Sequence, residues 1–199
     1  NAYGEIAFTG RLPDGTLQVY TVNSDGSDLR AITPAGYRSP VWSPDGSKLA
    51  VDAVGTSADP KGAVAIVDLR NSDQLTTLPL DQSRGVYQQI DGPPTWAPDG
   101  SKVAFTAFQP DEGSGGTAYI HVASSDGTST STLTTYSFGV SVGRIAWSPD
   151  GQTIAFAGGV LQGSSMAYGV FLANLDGSVS HLLYGGAAYA DAVIDGFTP

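Results

Sequence analysis

Cysteine is absent from this chain of 199 residues, and charged residues are scarce at 14%. The absence of cysteine excludes disulfides, cysteine nucleophiles and thiolate metal sites. The net charge of −10 at pH 7 would repel polyanions, so nucleic acid is not expected as a partner. No apolar run approaches the roughly 20 residues of a transmembrane helix, so membrane insertion is not expected either.

Glycine, serine and threonine are abundant, and the chain contains 26 glycines. Apolar residues make up 41% of the sequence, which is enough for a packed core. This mixture is typical of short strands joined by frequent turns. With few lysines it also favours an exported bacterial protein, so we expect an extracytoplasmic location, either periplasmic, secreted or at the cell surface.

An eleven-residue pattern occurs three times. Its copies are VWSPDGSKLAV from Val41, TWAPDGSKVAF from Thr95 and AWSPDGQTIAF from Ala146. The central Pro-Asp-Gly has the residue order of a tight turn, because proline presets φ and glycine suits the last position. The residues after the turn alternate in size, as in a half-buried strand. Each copy therefore predicts a strand, a turn and a second strand.

Two more strands follow each copy of the pattern. AVAIVDL, AYIHVAS and GVFLANL indicate third strands, and Asp-Gly turns at Asp126 and Asp176 indicate hairpins to fourth strands. Four antiparallel strands in about fifty residues, repeated along the chain, are typical of a β-propeller blade. The predicted fold class is therefore all-β, a β-propeller of four blades with four antiparallel strands each.

The two ends of the chain are expected to complete one blade together. GEIAFTG near the N-terminus matches QTIAFAG at Gln152–Gly158, which makes it a second strand. Phe197-Thr198-Pro199 falls where Trp-Ser-Pro falls in the other units, at the end of a first strand. We expect Ala192–Phe197 to pair with Ile6–Phe8, because ring closure removes exposed sheet edges. Half of a dimeric ring and a fragment of a longer propeller are the alternatives.

The predicted domain is a single propeller over residues 1–199. Its blades cover residues 192–199 with 1–34, then 40–80, 94–135 and 144–184. The repeated motif resembles the TolB-like, or PD40, propeller repeat, which is WD40-like. The resemblance rests on Trp42–Gly46, Trp96–Gly100 and Trp147–Gly151 and extends over nearly the whole chain. Two units depart from it, since Phe197 replaces the tryptophan and NSDQLTTLPL lacks an Asp-Gly turn.

Members of that family mostly bind other proteins in the cell envelope, and some relatives are peptidases or polysaccharide lyases. The resemblance therefore implies a fold and leaves the activity open. Propellers usually bind ligands at the mouth of the central channel, which the loops from fourth to first strands reach. Each of these four loops carries an aromatic residue.

Aromatic rings with arginines suit a protein or sugar surface. Tyrosines that cap the core would produce the same pattern, so this alternative stays open. The predicted ligand-binding residues are Tyr37, Arg38, Arg84, Tyr87, Tyr136, Phe138, Tyr184 and Tyr189.

No catalytic or metal motif is recognised. The sequence has no Walker pattern, and His121 and His181 have no evident partners for a metal. Asn23–Asp28 is rich in oxygen ligands but lacks the glutamate of a calcium loop. We predict no catalytic residue, no metal and no cofactor, with calcium left as an unsupported alternative.

The expected function is a non-catalytic binding or scaffold propeller. It would engage a protein partner, or a copy of itself, through the aromatic loops. The first alternative is a carbohydrate-binding propeller whose tyrosines stack on sugar rings. The second is a hydrolase or lyase with a site at the channel mouth, which would require a pair of ionisable side chains there.

Overall fold

The computed structural model describes residues 4–54, 62–80, 89–90, 92–110, 116–137, 142, 144–162 and 165–185. The regular structure in these ranges is β-strand throughout, and the paired strands are antiparallel. The strands form four sheets. The described ranges contain no helix with the length and apolar character needed to cross a bilayer.

The strands are numbered in chain order, and each sheet uses a continuous stretch of the chain. Sheet 1 contains β1 (Glu5–Arg11), β2 (Leu17–Asn23) and β3 (Arg30–Ala31). Sheet 2 contains β4 (Tyr37–Trp42), β5 (Lys48–Ala53), β6 (Ala63–Asp68) and β7 (Gln74–Thr77). Sheet 3 contains β8 (Gln89–Ile90), β9 (Thr95–Trp96), β10 (Lys102–Pro110), β11 (Gly116–Ser124) and β12 (Thr130–Ser137). Sheet 4 contains β13 (Ile145–Trp147), β14 (Thr153–Gln162), β15 (Ser165–Asn174) and β16 (Val179–Gly185).

The Pro-Asp-Gly segments form the turns that their residues favour. The Gly46 N–H donates to the Ser43 carbonyl at 2.9 Å, and Gly46 has a φ of +67°, where a side chain would be strained. Asp45 Oδ1 accepts from the hydroxyls of Ser43 and Ser47, both at 2.8 Å. The same backbone bond and positive φ recur at Gly100 and Gly151. The repeated motif is therefore a repeated turn with its own hydrogen-bond network.

Apolar clusters fill the spaces between consecutive sheets. Val19 of sheet 1 packs with Leu49 and Val51 of sheet 2. Equivalent clusters lie between sheets 2 and 3, around Phe105, and between sheets 3 and 4, around Phe156. Since alternate residues of a strand point to opposite faces, an inner sheet buries both of its faces. These clusters form the described core.

Two features differ from the prediction of four regular strands in every sheet. Sheet 1 has three described strands. The segment predicted to complete it, Ala192–Phe197, lies outside the described residues. In sheet 3 the first strand is divided into β8 and β9, because Pro93 and Pro94 have no N–H to donate to a ladder.

The first strand of sheet 2, β4, is irregular at the position that matches Pro93 and Pro94 of sheet 3. Its register with β5 shifts between Arg38 and Val41. Pro40 lies inside this shift, and Ser39 adopts a φ of +54°, a left-handed conformation that is uncommon for serine. The first strands of sheets 2 and 3 are therefore both interrupted a few residues before their tryptophans.

Candidate functional site

The first strands of sheets 2, 3 and 4 surround a cavity of about 540 Å³. Contacts between β4 and β9, and between β9 and β13, place these strands side by side. We call this space the channel cavity. Its walls are Ser39, Pro40 and Val41 from sheet 2, Pro93, Pro94 and Thr95 from sheet 3, and Arg144 and Ile145 from sheet 4.

Indole hydrogen bonds join the strands that line the channel cavity. Trp96 Nε1 donates to the carbonyl of Val41 at 2.9 Å, and Trp147 Nε1 donates to the carbonyl of Thr95 at 3.2 Å. Both indoles are buried. Trp96 and Trp147 therefore do more than fill the core, because they tie the first strands of sheets 3 and 4 to the first strand of the preceding sheet.

Arg144 lies at the start of the first strand of sheet 4 and is exposed. Its guanidinium makes no ion pair or side-chain hydrogen bond with the described residues. An arginine stays protonated at any relevant pH and offers five N–H donors. The wall of the channel cavity therefore contains a cation that no described residue pairs, although the chain as a whole carries a net charge of −10.

Arg38 precedes Ser39 of the cavity wall on β4, and its side chain is held by a buried carboxylate. Its Nε donates to Asp52 Oδ2 at 2.6 Å, with the arginine side chain 42% exposed and the aspartate 2% exposed. Asp52 Oδ1 has no hydrogen-bond partner among the described residues. These two residues face each other across the pairing of β4 and β5.

Of the predicted ligand-binding residues, the structure places the side chains of Tyr37 and Arg38. Tyr37 is partly buried and packs against the cluster between sheets 1 and 2. Tyr136 and Tyr184 lie on β12 and β16, where side chains are not described. The other four lie outside the described residues: Arg84, Tyr87, Phe138 and Tyr189.

The sequence prediction missed Arg144, Asp52 and the channel prolines. Arg144 stands three residues before Trp147, in the position that Ser39 and Pro93 hold before their own tryptophans. Aligning the repeats on the tryptophans would have placed Arg144 beside those residues. Asp52 gave no such signal, because its burial depends on how sheets 2 and 3 pack.

The resolved pKa shifts belong to aspartates in turns, away from the channel cavity. Hydrogen bonds from the hydroxyls of Ser43 and Ser47 lower the pKa of Asp45 to about 2. The Ser124 hydroxyl, followed by the Thr128 backbone N–H, lowers the pKa of Asp126 to about 2. Asp14, Asp25, Asp99, Asp150 and Asp176 also have a lowered pKa. Hydrogen bonds to the carboxylate favour the charged form, so these residues stabilise turns.

Within the described ranges, no three histidine, aspartate or glutamate side chains lie together as a metal site would require. A second, smaller cleft of about 190 Å³ lies between sheets 2 and 3. Lys48 Nζ donates across it to the Ser125 carbonyl at 2.9 Å. That cleft is therefore bridged by a contact between sheets, and the channel cavity is the better candidate site.

No protein-family model matches the chain, and no curated protein sequence matches it. Its fold is similar to several solved structures. An oligogalacturonate lyase from Vibrio parahaemolyticus is 16% identical, with a TM-score of 0.63 over 88% of this chain and 48% of the lyase. The β-propeller domain of the Trilobed protease from Pyrococcus furiosus is 13% identical, with a TM-score of 0.56 over 84% of this chain and 50% of that chain.

The fold is a β-propeller.

An acylaminoacyl peptidase from Pyrococcus horikoshii matches with a TM-score of 0.61 and 13% identity, over 90% of this chain and 30% of the peptidase. The chain thus spans about half the length of the lyase and about a third of the peptidase. These similar structures contradict the expected non-catalytic scaffold, because they are enzymes or a domain of one. The hydrolase or lyase alternative agrees with them better.

Proposed function

We propose that this propeller belongs to a lyase or hydrolase and binds the substrate in its channel cavity. The observation that carries the proposal is a cavity of about 540 Å³ whose wall includes Arg144, a cation with no ion pair among the described residues. Clefts of this size hold small ligands, and a few polar groups in a rigid wall give such sites their specificity. The similar lyase and peptidases support the enzyme class, and the fold they share supports no particular reaction.

The wall of the channel cavity is suited to bind a substrate without rearranging. Pro40, Pro93 and Pro94 have a fixed φ, and the buried indoles of Trp96 and Trp147 hold the neighbouring strands. A preorganised wall lowers the entropy that is lost when a substrate binds. Binding at this site is therefore expected to need little movement of sheets 2, 3 and 4.

The test is turnover of two substrate classes by the protein and by a variant with a blocked channel. Oligogalacturonate is followed by the ultraviolet absorbance of an unsaturated product and by new reducing ends, and N-acylaminoacyl peptides by the release of amino groups. We expect one class to be turned over. Thr95→Trp places an indole in the channel cavity, where it would occupy the space of the substrate. It should reduce that activity at least about tenfold, which corresponds to a loss of about 1.4 kcal/mol of binding free energy.

Thr135→Trp is the matched control, because Thr135 is exposed on β12. It makes the same substitution away from the channel and should leave turnover unchanged. Equal losses in both variants would place the site elsewhere. Absence of turnover and of binding for both substrate classes, in a folded sample, would overturn the proposal.

We also propose that the ring closes through four blades, with Ala192–Phe197 beside β1. Ile6 is 51% exposed and Phe8 is 37% exposed. The residues in register with them on the other second strands are fully buried: Leu49 and Val51, Val103 and Phe105, and Ile154 and Phe156. A closed ring would give Ile6 and Phe8 the same burial.

The tryptophan bonds support the same closure. Trp96 and Trp147 each donate to the first strand of the preceding sheet, whereas no described residue accepts from the Trp42 indole. In a closed ring the equivalent acceptor is the carbonyl of Gly196, which precedes Phe197 as Val41 precedes Trp42.

The TolB-like assignment of the repeat and an extracytoplasmic location are likewise proposals, supported by the repeated motif and the composition.

A further inference from the structure

We infer that Ser39 is a substrate-binding residue of the channel cavity and that Thr9 of sheet 1 positions it. This role rests on the proposed function and adds a residue to the same site. Three observations carry it: a strained backbone inside a strand, the hydrogen bonds that hold that backbone, and a hydroxyl that no described residue binds.

The backbone of Ser39 is strained in two respects. Its φ of +54° lies in the left-handed region, which is unfavourable for a residue with a side chain. Ser39 also precedes Pro40, and a proline ring favours an extended conformation with negative φ in the residue before it. Strained residues persist only where the surrounding structure holds them, and they cluster at functional sites.

The position of Ser39 separates it from the other described non-glycine residues with a positive φ. Asp28, Ser72 and Asp73 lie between strands, where turns commonly require this conformation. Ser39 lies inside β4 and lines the channel cavity. Its strain is therefore located in the wall of the candidate site.

Hydrogen bonds from two sheets hold this part of β4. The Ser39 N–H donates to Thr9 Oγ1 of sheet 1 at 3.0 Å. Arg38, the residue before it, donates through Nε to the buried Asp52 of β5 at 2.6 Å. Thr9 bonds to the backbone of Ser39 and is not among the residues that line the cavity. It therefore acts through Ser39, as a positioning residue.

A serine at this position has a cost that glycine would avoid, because glycine adopts a positive φ without strain. The side chain gives no visible return within the fold. The Ser39 hydroxyl makes no hydrogen bond with the described residues, although the residue is half-buried. A polar group that is partly removed from water gains free energy from a ligand that supplies its partner.

The wall of the channel cavity offers donors more than acceptors. The carbonyls of Val41 and Thr95 already accept from the indoles of sheets 3 and 4. The charged side chain of the wall is Arg144, and a guanidinium can only donate. An oxygen of the substrate is therefore the expected partner, and the Ser39 hydroxyl donates to it.

Replacement by glycine distinguishes a binding role from a structural one, because stability and activity should change in opposite directions. Ser39→Gly removes the strain, so the midpoint of thermal unfolding should rise by about 2–4 °C. It also removes the hydroxyl. With whichever of oligogalacturonate and N-acylaminoacyl peptides the protein turns over, kcat/KM should fall about threefold to tenfold, as for one lost hydrogen bond.

Ser72→Gly is the matched control, because Ser72 has a φ of +52° and is exposed in the turn between β6 and β7. It should raise the unfolding midpoint by a similar amount and leave kcat/KM unchanged. Ser39→Ala keeps the Cβ and the strain and loses only the hydroxyl. Its kcat/KM should fall as in Ser39→Gly, without the gain in stability.

Two substitutions test the positioning by Thr9. Thr9→Val has nearly the same shape but cannot accept from the Ser39 N–H, so KM should rise about twofold to fivefold while kcat stays the same. Thr9→Ser keeps the accepting oxygen and should restore the KM of the unmodified protein. A residue that only filled space would show no such rescue, and an unchanged KM in Thr9→Val would overturn the positioning.

A Ser39→Gly variant with unchanged kcat/KM, or with a lower unfolding midpoint than the unmodified protein, would overturn the role of Ser39. The proposed function would still stand if Thr95→Trp blocks turnover. If the unmodified protein neither turns over nor binds either substrate class, the proposed function fails and the role of Ser39 fails with it.

Discussion

The residue before the proline distinguishes the Pro-Asp-Gly turn of sheet 3 from those of sheets 2 and 4. Ser43 and Ser148 precede proline in sheets 2 and 4, whereas Ala97 has that position in sheet 3. Ser43 Oγ donates to Asp45 Oδ1 at 2.8 Å and accepts from the Lys48 N–H at 2.9 Å. Ser148 repeats both bonds, to Asp150 at 2.5 Å and from Thr153 at 3.0 Å.

We predict that Ala97→Ser stabilises the protein. Ala97 and Ser43 have a similar burial of 2% and 5% exposed, so the hydroxyl should fit. It would donate to Asp99 and accept from the Lys102 N–H, raising the free energy of unfolding by about 1 kcal/mol, the usual net value of a hydrogen bond. Urea denaturation measures the change.

Because the new hydroxyl would donate to Asp99, the gain in the free energy of unfolding should depend on pH in a predictable direction. The backbone and side chain of Ser101 already lower the pKa of Asp99, and the new hydroxyl would lower it further. A lowered pKa contributes stability that is complete above the unfolded value of 3.8 and is lost as the pH falls below it. The gain should therefore shrink in acid, and a Ser43→Ala variant should show the opposite change at neutral pH. A gain in Ala97→Ser that is equal at pH 2 and pH 7 would contradict the role of the carboxylate.

Hairpins between third and fourth strands depend on glycines whose surroundings differ. Gly26 and Gly127 both follow an aspartate and have φ values of +85° and +75°. A Cβ at Gly26 would have no neighbour within 4 Å, whereas a Cβ at Gly127 would lie 2.6 Å from the Thr76 methyl group of sheet 2. The second hairpin is therefore also a contact between sheets.

We predict that Gly127→Ala destabilises the protein more than Gly26→Ala. Both variants place a side chain in the left-handed region, at about 1 kcal/mol. Gly127→Ala adds a clash with a β-branched side chain, so its total loss should be about 2–4 kcal/mol. Thermal or urea unfolding compares them, and equal losses would show that sheets 2 and 3 separate at this point without cost.

The proposed closure of the ring would join the four sheets into one cooperative unit. Phe8, Phe105 and Phe156 occupy one position on the second strands of sheets 1, 3 and 4. Phe105 and Phe156 are fully buried between sheets. The last strands of a closed ring would give Phe8 the same surroundings.

We predict that Phe8→Ala destabilises the protein by about 3–5 kcal/mol, as for a buried phenylalanine. Phe156→Ala is the matched control, and it should lose the same amount whether or not the ring closes. A small loss for Phe8→Ala beside a large one for Phe156→Ala would contradict closure. Light scattering at 20.4 kDa would agree with a closed monomer, and twice that mass would indicate a ring shared by two copies.

The local structure could largely be predicted from the sequence. Trp42, Trp96 and Trp147 mark first strands, and the alternation after each Pro-Asp-Gly turn marks the second strands that the structure shows at β5, β10 and β14. These signals are local, because turn formation and strand alternation depend on neighbouring residues. The sequence analysis did not predict the division of the first strand of sheet 3, although Pro93-Pro94 explains it.

The candidate site could be predicted only in part. Arg38 was selected because the sequence predicted it in a loop at the channel mouth, whereas the structure places it on β4. Its bond to Asp52 joins residues on two strands and becomes visible when β4 pairs with β5. Arg144 resembles a strand residue in the sequence and becomes a channel cation when the first strands of sheets 2, 3 and 4 meet. Turns and strands depend on near neighbours along the chain, so the sequence alone was sufficient to predict them. The composition of the channel wall follows from residues about fifty positions apart, and only the packing of the sheets against one another brings those residues together.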